Sequence, residues 1–556
     1  MPKVQINGKT ETLNKRDFLA QGGEGSVYAR GSKAYKIYSD QSKMIPADKI
    51  RELSVLTNPN IIKPEDVIFS GKKAIGYTMR YIPKNVSLCQ IFTKAFKDRN
   101  GITPEICFDL VQNMRSTIEH IHGNKILIVD LNEMNFLTSK DFKEVYFIDV
   151  DSYQTQTYPA TAIMESIRDR HAKPGKFSVN TDWFSFAVVS FQVFIGIHPY
   201  KGKHPKLSGF DERMNSNVSV FNSAVSIPKC CLSFDVIPAN WRDWYKAVFE
   251  NGLRCSPPIE GGVMTSIVTI VTTVSGSDNF VIKELFECDW DIVHYEPNFG
   301  NECVVCNNGF RIKDGKHIMH PMPCAVGYYG SIPFAARIEN EKIKLYNVQM
   351  QTNVVMNDIY ATDLMSTGGR IYAKQVDKIL EIEFIGPEYK PMIAAKLVGT
   401  VMEQATQMFS GVAIQNVLGA YIVSVFPESG QCVQHKLEDL KGYQIINAKY
   451  EGGILILTAV KNGTYDRFVY AVDAKSISRP RIAQDVQNYG VNFTVLDNGI
   501  CISIIDTEEV EVFSRNNVHK IKVVKDNVVH GGMRLFHDGN TGMFSDGKKM
   551  FSLKMK

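Results

Sequence analysis

The stretch that decides the fold runs from 122 to 154 and reads HGNKILIVDLNEMNFLTSKDFKEVYFIDVDSYQ. Within it, Asp130 and Asn135 lie five residues apart in a turn-like segment between two β-like runs, and Asp149 follows the apolar run VYFI. A carboxylate at the end of a buried strand is a natural metal ligand or general base, and an amide oxygen can serve as a second ligand to Mg²⁺. Asp and Asn also favour turns for conformational reasons alone, so a purely structural role remains an alternative for each residue taken singly.

A glycine-rich run, AQGGEGSVYARGSKAYKIY at 20–38, precedes this stretch. It predicts a turn at Gly22, Gly23 and Gly25 between two strands, with Val27 at the start of the second strand. Glycines in such a turn let backbone N–H groups approach phosphate oxygens without a Cβ in the way. Glycine-rich hairpins are common, so the turn alone leaves an ordinary hairpin equally open.

Lys36 stands in the β-like run AYKIY, eleven residues after Gly25. A lysine that points inward from such a strand needs an anionic partner, because an unpaired buried charge is costly. Glu52, in the helical pattern KIRELSVL, is the candidate partner. The alternative for the pair is a solvated strand lysine and a surface helix glutamate.

Taken in order, these residues resemble the motif set of the protein kinase fold. Farther on, TDWFSFAVVSFQVFIGIHPYKG at 181–202 resembles the central helix of the kinase C-lobe, with Asp182 near its start. FENGLRCSPP at 249–258 resembles the final helix, with Arg254. Within the fold the chain is most similar to a bacterial and phage-type branch, whose motifs appear here as DLNEMNFL and IDVDSYQ. The resemblance covers about 1–262 and predicts a two-lobed α+β domain.

The resemblance implies an ATP- and Mg²⁺-dependent phosphotransferase, with Mn²⁺ as a possible substitute, that acts on Ser or Thr of a protein substrate. It implies that Lys36, locked by Glu52, holds the α- and β-phosphates, and that Asp130 orients and deprotonates the attacking hydroxyl. Further implied roles are nucleotide contact by Gly22, Gly23, Gly25 and Val27, metal binding by Asn135 and Asp149, and structural support by Asp182 and Arg254.

Several positions depart from the kinase pattern. Val129 stands where many kinases have Arg, and Asn132 where many have a Lys that contacts the transferred phosphate. Val150-Asp151 replaces Phe-Gly after the metal-binding Asp, and Glu165 is the nearest counterpart of the Glu in Ala-Pro-Glu. None of these changes deletes a phosphate- or metal-binding group, so an active enzyme is favoured. A pseudokinase scaffold that binds nucleotide without transfer, and an adenylyl transferase on the same fold, remain alternatives.

The second half of the chain has a different pattern. From about Asn279 short β-rich runs recur between turns such as Asp497-Asn498-Gly499, at intervals of roughly 35 to 45 residues, the size of a four-stranded propeller blade. We therefore predict an all-β domain at 291–556, first a β-propeller and second a β-sandwich or barrel pair. The kinase-like domain is predicted at 1–262 and a connection at 263–290.

Composition narrows the class of protein. The 556 residues are too many for one hydrophobic core, and 44% hydrophobic with 22% charged residues is ordinary for a globular chain. A net charge of +4 does not suggest a dedicated nucleic-acid binder. The sequence has no apolar run of the ~18 to 20 residues needed to cross a membrane and no secretory signal at its start. We expect a cytoplasmic protein that binds a protein substrate, with a protein partner on the β-rich half.

Cysteine spacing invites one more reading. The eleven cysteines include Cys303-x2-Cys306, followed by His317, His320 and Cys324, which could bind zinc. The two residues inside the pair are valines, which favour a strand over the tight turn of a zinc knuckle. We therefore predict buried, reduced thiols at these positions.

Overall fold

The computed structural model of the chain describes residues 3–22, 24–259, 277–296, 303–487, 489–506 and 508–556. The described residues divide into two compact units, the first formed mainly by residues up to 259 and the second mainly by residues from 277 onward. The first unit contains both helices and sheets, and the second consists of strands. An α+β region followed by an all-β region, as the sequence predicts, is confirmed. Gly23 and residues 263–276 of the predicted connection lie outside the described residues.

The first unit opens with an antiparallel seven-stranded sheet in the order β2-β1-β6-β7-β5-β4-β3. Its strands are β1 (Lys3–Ile6), β2 (Lys9–Thr12), β3 (Phe18–Gln21), β4 (Gly25–Arg30), β5 (Lys33–Tyr38), β6 (Val67–Ser70) and β7 (Lys73–Arg80). Helix α1 (Ala47–Leu53) connects β5 to β6. One face of the sheet packs around Val4, Tyr35 and Ile68, each at most 2% exposed. Alternation along the strands therefore places apolar residues on one side, as the period of two requires.

The rest of the first unit is mainly helical. Its helices are α2 (Lys94–Asn100), α3 (Pro104–Gly123), α4 (Val179–Ile195), α5 (Phe210–Asn215) and α6 (Ala239–Phe249). A small sheet in the order β10-β9-β8 is formed by β8 (Asn85–Ser87), β9 (Phe136–Ser139) and β10 (Val145–Phe147). Helix α3 begins where the Thr103 side chain accepts a hydrogen bond from the Ile106 N–H and Pro104 occupies the first turn. The spacing of Ile106, Leu110, Met114 and Ile118 predicts a helix with one apolar stripe. The last three of these residues are fully buried, and Ile106 is partly exposed.

Helix α4 is the central buried helix of this unit. Every residue from Asp182 to Ile195 is buried. Ser178 and Thr181 form a capping box at its start, and Gly196 ends it with φ +85°. A Cβ at Gly196 would meet the Phe92 carbonyl oxygen, so close packing as well as φ requires glycine there. Among the described residues, no helix is both long and apolar enough to cross a membrane.

In the described part of the chain, the second unit contains seven four-stranded antiparallel sheets. Sheet 1 combines β11 (Phe280–Glu287) with β36 (Arg534–Asp538), β37 (Thr541–Asp546) and β38 (Lys549–Met555). Sheet 2 contains β12 (Ile292–Glu296), β13 (Cys303–Cys306), β14 (Gly309–Ile312) and β15 (His317–Met319). Sheet 3 contains β16 (Ala325–Tyr329), β17 (Ile332–Glu339), β18 (Lys342–Asn347) and β19 (Thr352–Asn353). Sheet 4 contains β20 (Asp363–Thr367), β21 (Arg370–Gln375), β22 (Lys378–Ile385) and β23 (Met392–Thr400). Sheet 5 contains β24 (Thr406–Phe409), β25 (Val412–Val417), β26 (Ala420–Val425) and β27 (Val433–Leu437). Sheet 6 contains β28 (Gln444–Glu451), β29 (Ile454–Lys461), β30 (Thr464–Ala471) and β31 (Arg481–Ala483). Sheet 7 contains β32 (Phe493–Val495), β33 (Ile500–Ile504), β34 (Val510–Ser514) and β35 (Asn517–Val524).

The first and last strands of this unit share one sheet. Strand β11 pairs antiparallel with β38, from Phe280 opposite Met555 to Glu287 opposite Lys549. Residues 280–287 were predicted to belong to a connection that runs to 290. They form a strand instead, because they pair with β38 at the far end of the chain. A local sequence pattern does not reveal so distant a partner.

Seven apolar clusters fill the spaces between these sheets. Five of them join sheets 2 to 3, 3 to 4, 4 to 5, 5 to 6 and 6 to 7 in turn. A sixth joins sheet 7 to sheet 1, with Val510 packed in one group with Leu535 and Phe551. The seventh joins sheet 1 to sheet 2, with Met543 and Val304 in one group. Each of the seven sheets therefore buries apolar side chains against two others.

Cys303 and Cys306 are both buried, and they lie in different clusters. Residues three apart on a strand point to opposite faces, so the two thiols cannot hold one ion. Among the described residues no group of three or more His, Cys, Asp or Glu side chains is arranged to hold a metal. The predicted burial is confirmed for Cys303 and Cys306, whereas Cys324 is partly exposed.

His198, just beyond α4, has a structural role. Its ring is 3% exposed, Nε2 lies 2.8 Å from the Ser166 carbonyl oxygen, and Nδ1 accepts a hydrogen bond from the Tyr200 N–H. These contacts identify the tautomer that carries its proton on Nε2. Burial lowers the pKa of His198 to about 3.

We predict that His198 makes the first unit less stable in mild acid. Because its folded pKa lies below the ordinary 6.5, its contribution is complete above pH 6.5 and is lost as the pH falls toward 3. The loss amounts to about 2 kcal/mol between pH 6.5 and pH 5. Denaturant titrations followed by tryptophan fluorescence can measure it, since Trp183, Trp241 and Trp244 lie in this unit.

His198→Gln should flatten this pH dependence, and His204→Gln, in a more open loop, should leave it unchanged. Equal pH dependence in His198→Gln and the parent would contradict the assignment.

Candidate active site

Lys36 on β5 is the centre of the polar cluster in the first unit. It is 8% exposed, and its Nζ lies 2.8 Å from Asp149 Oδ1 and 2.7 Å from Asp151 Oδ2. Glu24 approaches the same nitrogen at 3.7 Å. The Tyr38 hydroxyl donates to Asp151, so this carboxylate has two donors. The expectation that an inward lysine requires an anionic partner is met, by residues more than a hundred positions away in the chain.

The two carboxylates differ in their electrostatics. Burial, together with the neighbouring charge of Asp151, raises the pKa of Asp149 to about 6, although the charge and hydrogen bond of Lys36 act to lower it. Burial acts in the same direction on Asp151, but the charge and hydrogen bond of Lys36 and the Tyr38 hydroxyl hold its pKa below the ordinary value. For Lys36, burial acts to lower the pKa, and the attraction of Tyr77, Asp151 and Asp149 outweighs it and raises the pKa well above the ordinary value. Asp151 is therefore the permanent counter-ion of Lys36.

Glu52 was predicted to lock Lys36, and this prediction is wrong. Among the described residues, the ion-pair partners of Lys36 are Glu24, Asp149 and Asp151. Hydrogen bonds from Thr155 and Thr157 lower the pKa of Glu52. The face of α1 that is buried carries Lys49 instead, whose Nζ donates to the Asp151 carbonyl oxygen at 2.6 Å. Helix α1 has only seven residues, so it buries one short face, and Lys49 lies on that face.

The glycine turn connects β3 to β4. The Gly22 N–H donates to the Gly25 carbonyl at 2.9 Å, which closes the turn, and Val27 pairs with Lys36 across β4 and β5. A Cβ at Gly25 would lie 2.2 Å from the Ile37 carbonyl oxygen, whereas one at Gly22 would meet nothing within 4 Å. Gly25 is thus required by strand packing as well as by any ligand. Gly23 lies outside the described residues.

Asp130 and Asn135 form the second part of the site. The Asn135 Nδ2 donates to the Asp130 carbonyl oxygen at 2.9 Å, which orients the amide and leaves its Oδ1 as an acceptor. Asp130 Oδ1 accepts a hydrogen bond from the Met164 N–H at 2.8 Å. Burial raises the pKa of Asp130, and the bonds from Met164 and Asn132 offset this only in part. A carboxyl with a raised pKa suits a general base.

The backbone before Asp130 is strained, and hydrogen bonds to Asp182 hold it in place. Val129 has φ +65°, which is rare for a β-branched residue and costs of order 1–3 kcal/mol. The Val129 and Ile128 N–H groups donate to the two carboxylate oxygens of Asp182, at 2.9 and 2.8 Å, and His122 Nε2 lies 2.9 Å from one of them. Asp182 is fully buried in the first turn of α4. The carboxylate predicted to be structural is therefore what holds the Asp130 turn on the central helix.

Arg254 forms a bidentate ion pair with Asp169, at 2.6 and 2.8 Å, and its guanidinium lies over the Phe184 ring. This pair fixes the chain that leads into α4. Glu165, the nearest sequence counterpart of the glutamate in Ala-Pro-Glu, contacts Arg168 and Arg170. The sequence analysis assigned no partner to Arg254, and the structure supplies Asp169.

Asp149 and Asn135 supply oxygen ligands of the kind that Mg²⁺ prefers. The Asp149 side chain is 39% exposed, so it is open to a ligand, and its φ of +60° turns it out of the preceding strand β10. A carboxylate and an amide are too few for a complete protein cage. They fit a Mg²⁺ ion whose remaining ligands are nucleotide phosphates and water, the usual arrangement for this ion.

Sequence reasoning missed Asp151 and Lys49 as parts of the site. The signal for Asp151 was present, since a second carboxylate in IDVDS stands two residues after Asp149. It was interpreted as part of the IDVDS motif and as a departure from a Phe-Gly pattern, and no role of its own was assigned to it. For Lys49 no local signal existed, because its role depends on how α1 is rotated against the turn at 149–152.

The two glycines should respond differently to alanine. Gly25→Ala places a methyl group against the Ile37 carbonyl and should destabilise the first unit by about 1–3 kcal/mol. Gly22→Ala has open space and should change stability by about 0.5 kcal/mol or less. Denaturant titrations of both variants check this, and equal losses would contradict the packing role of Gly25.

No protein-family model and no curated protein matches this chain. Among solved structures, the kinase PK-1 of Cydia pomonella Granulovirus is similar at 14% sequence identity, with a TM-score of 0.31 and coverage of 42% of this chain and 88% of the viral chain. At so low a TM-score, the function of the chain has to be inferred from its own contacts.

Proposed function

We propose that the first unit is a kinase-like phosphotransferase that uses ATP and Mg²⁺ and acts on Ser or Thr of a protein. The observation that carries this proposal is the partly buried contact between Lys36 Nζ and Asp149 Oδ1 at 2.8 Å. It joins a strand lysine beside a glycine turn to a carboxylate that is open to ligand. A phosphate-binding cation next to a metal-binding anion is what transfer of a phosphoryl group needs.

Each residue has a role that its contacts support. Lys36, held in a fixed position, would bind the nucleotide phosphates below the turn at 22–25. Asp130, with one oxygen occupied by the Met164 N–H, would use the other to orient the acceptor hydroxyl and take its proton. Asn135 and Asp149 would hold Mg²⁺, which neutralises charge on the phosphates. The protein's own contribution is then positioning and charge stabilisation.

A nucleotide-binding scaffold without transfer is the second candidate, and one observation favours it. The Met164 N–H already occupies an oxygen of Asp130, and Asn132, whose side chain accepts from the Met134 N–H, stands where a phosphate-contacting lysine is common. If the segment at Met164 covers Asp130, the proposed general base, phosphoryl transfer is slowed while the region around Lys36 stays open to nucleotide.

For the second unit we propose a closed seven-bladed β-propeller that recruits a protein partner or substrate. Seven clusters that join the sheets in cyclic order support closure, as does the β11–β38 pairing. Contacts between the first strands of successive sheets, such as β16 with β20 and β20 with β24, support an inner ring. For recruitment the supporting feature is the outer strand β23, where Met392 and Leu397 are exposed.

Phosphoryl transfer can be tested by intact mass. The parent, incubated with Mg²⁺, ATP and a generic protein substrate, should add about 80 Da to itself or the substrate, whereas adenylyl transfer adds about 329 Da. Asp149→Asn should abolish the gain, because it removes the charged metal ligand. Asp141→Asn, an exposed carboxylate away from the cluster, is the matched control. Full transfer by Asp149→Asn would contradict the site.

Ring closure can be tested by removing residues 549–556, which form β38. Because Met550, Phe551 and Leu553 pack in the two clusters that join sheet 1 to sheets 2 and 7, hydrogen–deuterium exchange should rise in all three sheets. A rise confined to β11 and β37, the ladder partners of β38, would contradict closure.

A further inference from the structure

Two carboxylates accept hydrogen bonds from the Lys36 ammonium, and both come from one short turn. Asp149 and Asp151 lie at either side of Val150 in a short 3₁₀ segment that begins after Asp149. Their oxygens approach Nζ at 2.8 and 2.7 Å. The Asp151 side chain is 4% exposed and the Asp149 side chain 39%. One anion of the pair is therefore enclosed, and the other is open to ligand.

The enclosed carboxylate is also fixed from other directions. The Tyr38 hydroxyl donates to Asp151 Oδ2, the same atom that receives Lys36. The Lys49 ammonium donates to the Asp151 main-chain carbonyl at 2.6 Å. Tyr38 and Lys36 lie on the same face of β5, two residues apart. Asp151 is thus tied to the strand that carries the lysine.

We propose that Asp151 is the positioning residue that fixes Lys36 for phosphate binding, and that Glu52 of α1 has no part in it. The phosphate-binding half of this statement rests on the proposed function. The nucleotide site is then formed by β5 and the turn at 149–151. No carboxylate from a helix has to move toward Lys36 to complete it.

The division of labour between the carboxylates follows from their exposure. If Asp149 alone held Lys36, a metal ion at Asp149 would compete with the lysine for the same group. Asp151 is enclosed, so it keeps the ammonium paired whether or not Asp149 is engaged elsewhere. A buried ion pair of this kind is strongly destabilised by loss of one partner, since the other is left uncompensated.

A stability cycle tests the coupling without any ligand. Lys36→Met, Asp151→Asn and the double variant are compared by thermal unfolding, followed by tryptophan fluorescence. Each single variant should lower the midpoint, and the double variant should lower it by clearly less than the sum of the two. The parallel cycle with Lys36→Met and Glu52→Gln should be additive. Additivity in the Asp151 cycle, or coupling of equal size in the Glu52 cycle, would overturn the proposal.

Nucleotide affinity tests the functional half. Titration with Mg·ADP in a calorimeter should show affinity reduced about 10-fold or more by Asp151→Asn, and changed about 2-fold or less by Glu52→Gln. In the Lys36→Met background, Asp151→Asn should have little further effect, because it acts through the lysine. An undiminished loss in that background would assign Asp151 a direct role and overturn the positioning one.

Two outcomes separate this proposal from the function on which it rests. If the parent binds no Mg·ADP, the nucleotide function fails, and with it the phosphate-binding half, while the stability cycle still decides the Lys36–Asp151 coupling. If Asp151→Asn does not fold, Tyr38→Phe replaces it in both experiments. That variant removes the hydroxyl donor and keeps the charge, so it should act in the same direction with a smaller effect, and an effect independent of Lys36 would contradict the proposal.

Discussion

The first unit depends on the burial of one cation. Lys36 on β5 is only 8% exposed, so its charge must be paired inside the protein. The turn at 149–151 supplies the two carboxylates that accept hydrogen bonds from Lys36, and it is thereby held against the sheet. Lys49 extends the same network to α1 through the Asp151 carbonyl. A single electrostatic requirement thus joins the sheet, the helix α1 and the segment after β10, and it does so where the open carboxylate of Asp149 faces outward.

Strain and support are paired in the same region. Val129 and Asp149 both have positive φ, an unfavourable conformation for residues other than glycine. The strain at Val129 is offset by Asp182, which accepts hydrogen bonds from two successive N–H groups and is fixed in the buried helix α4. Such outliers persist only where surrounding contacts over-determine them, and they cluster at functional sites. The backbone at 128–135 is therefore held by the rigid core of the unit.

The second unit solves a different physical problem. A four-stranded sheet has two faces to cover, and the clusters provide an apolar partner for each face of the seven sheets. Its first and last strands lie in the same sheet, so neither end of the unit leaves a sheet with a missing strand. Within the unit, Arg481 pairs with Glu511 at 2.7 Å.

Local pattern in the sequence was enough to determine the α+β and all-β halves, the strands that carry Val27 and Lys36, helices α3 and α4, and the turn positions of Asp130, Asn135 and Asp149. These follow from hydrophobic period, glycine and capping residues, which act over a few neighbours. The partner of Lys36, the partner of Arg254 and the strand at 280–287 depend on residues far apart in the chain. Glu52 was a plausible partner of Lys36 by position, but the rotation of α1 directs Lys49 to the site. No local pattern indicated that Asp169 forms the buried pair with Arg254. Only the tertiary structure decides such pairings, because a buried charge takes whichever opposite charge the packing brings within hydrogen-bond distance, and the sequence does not encode that distance locally.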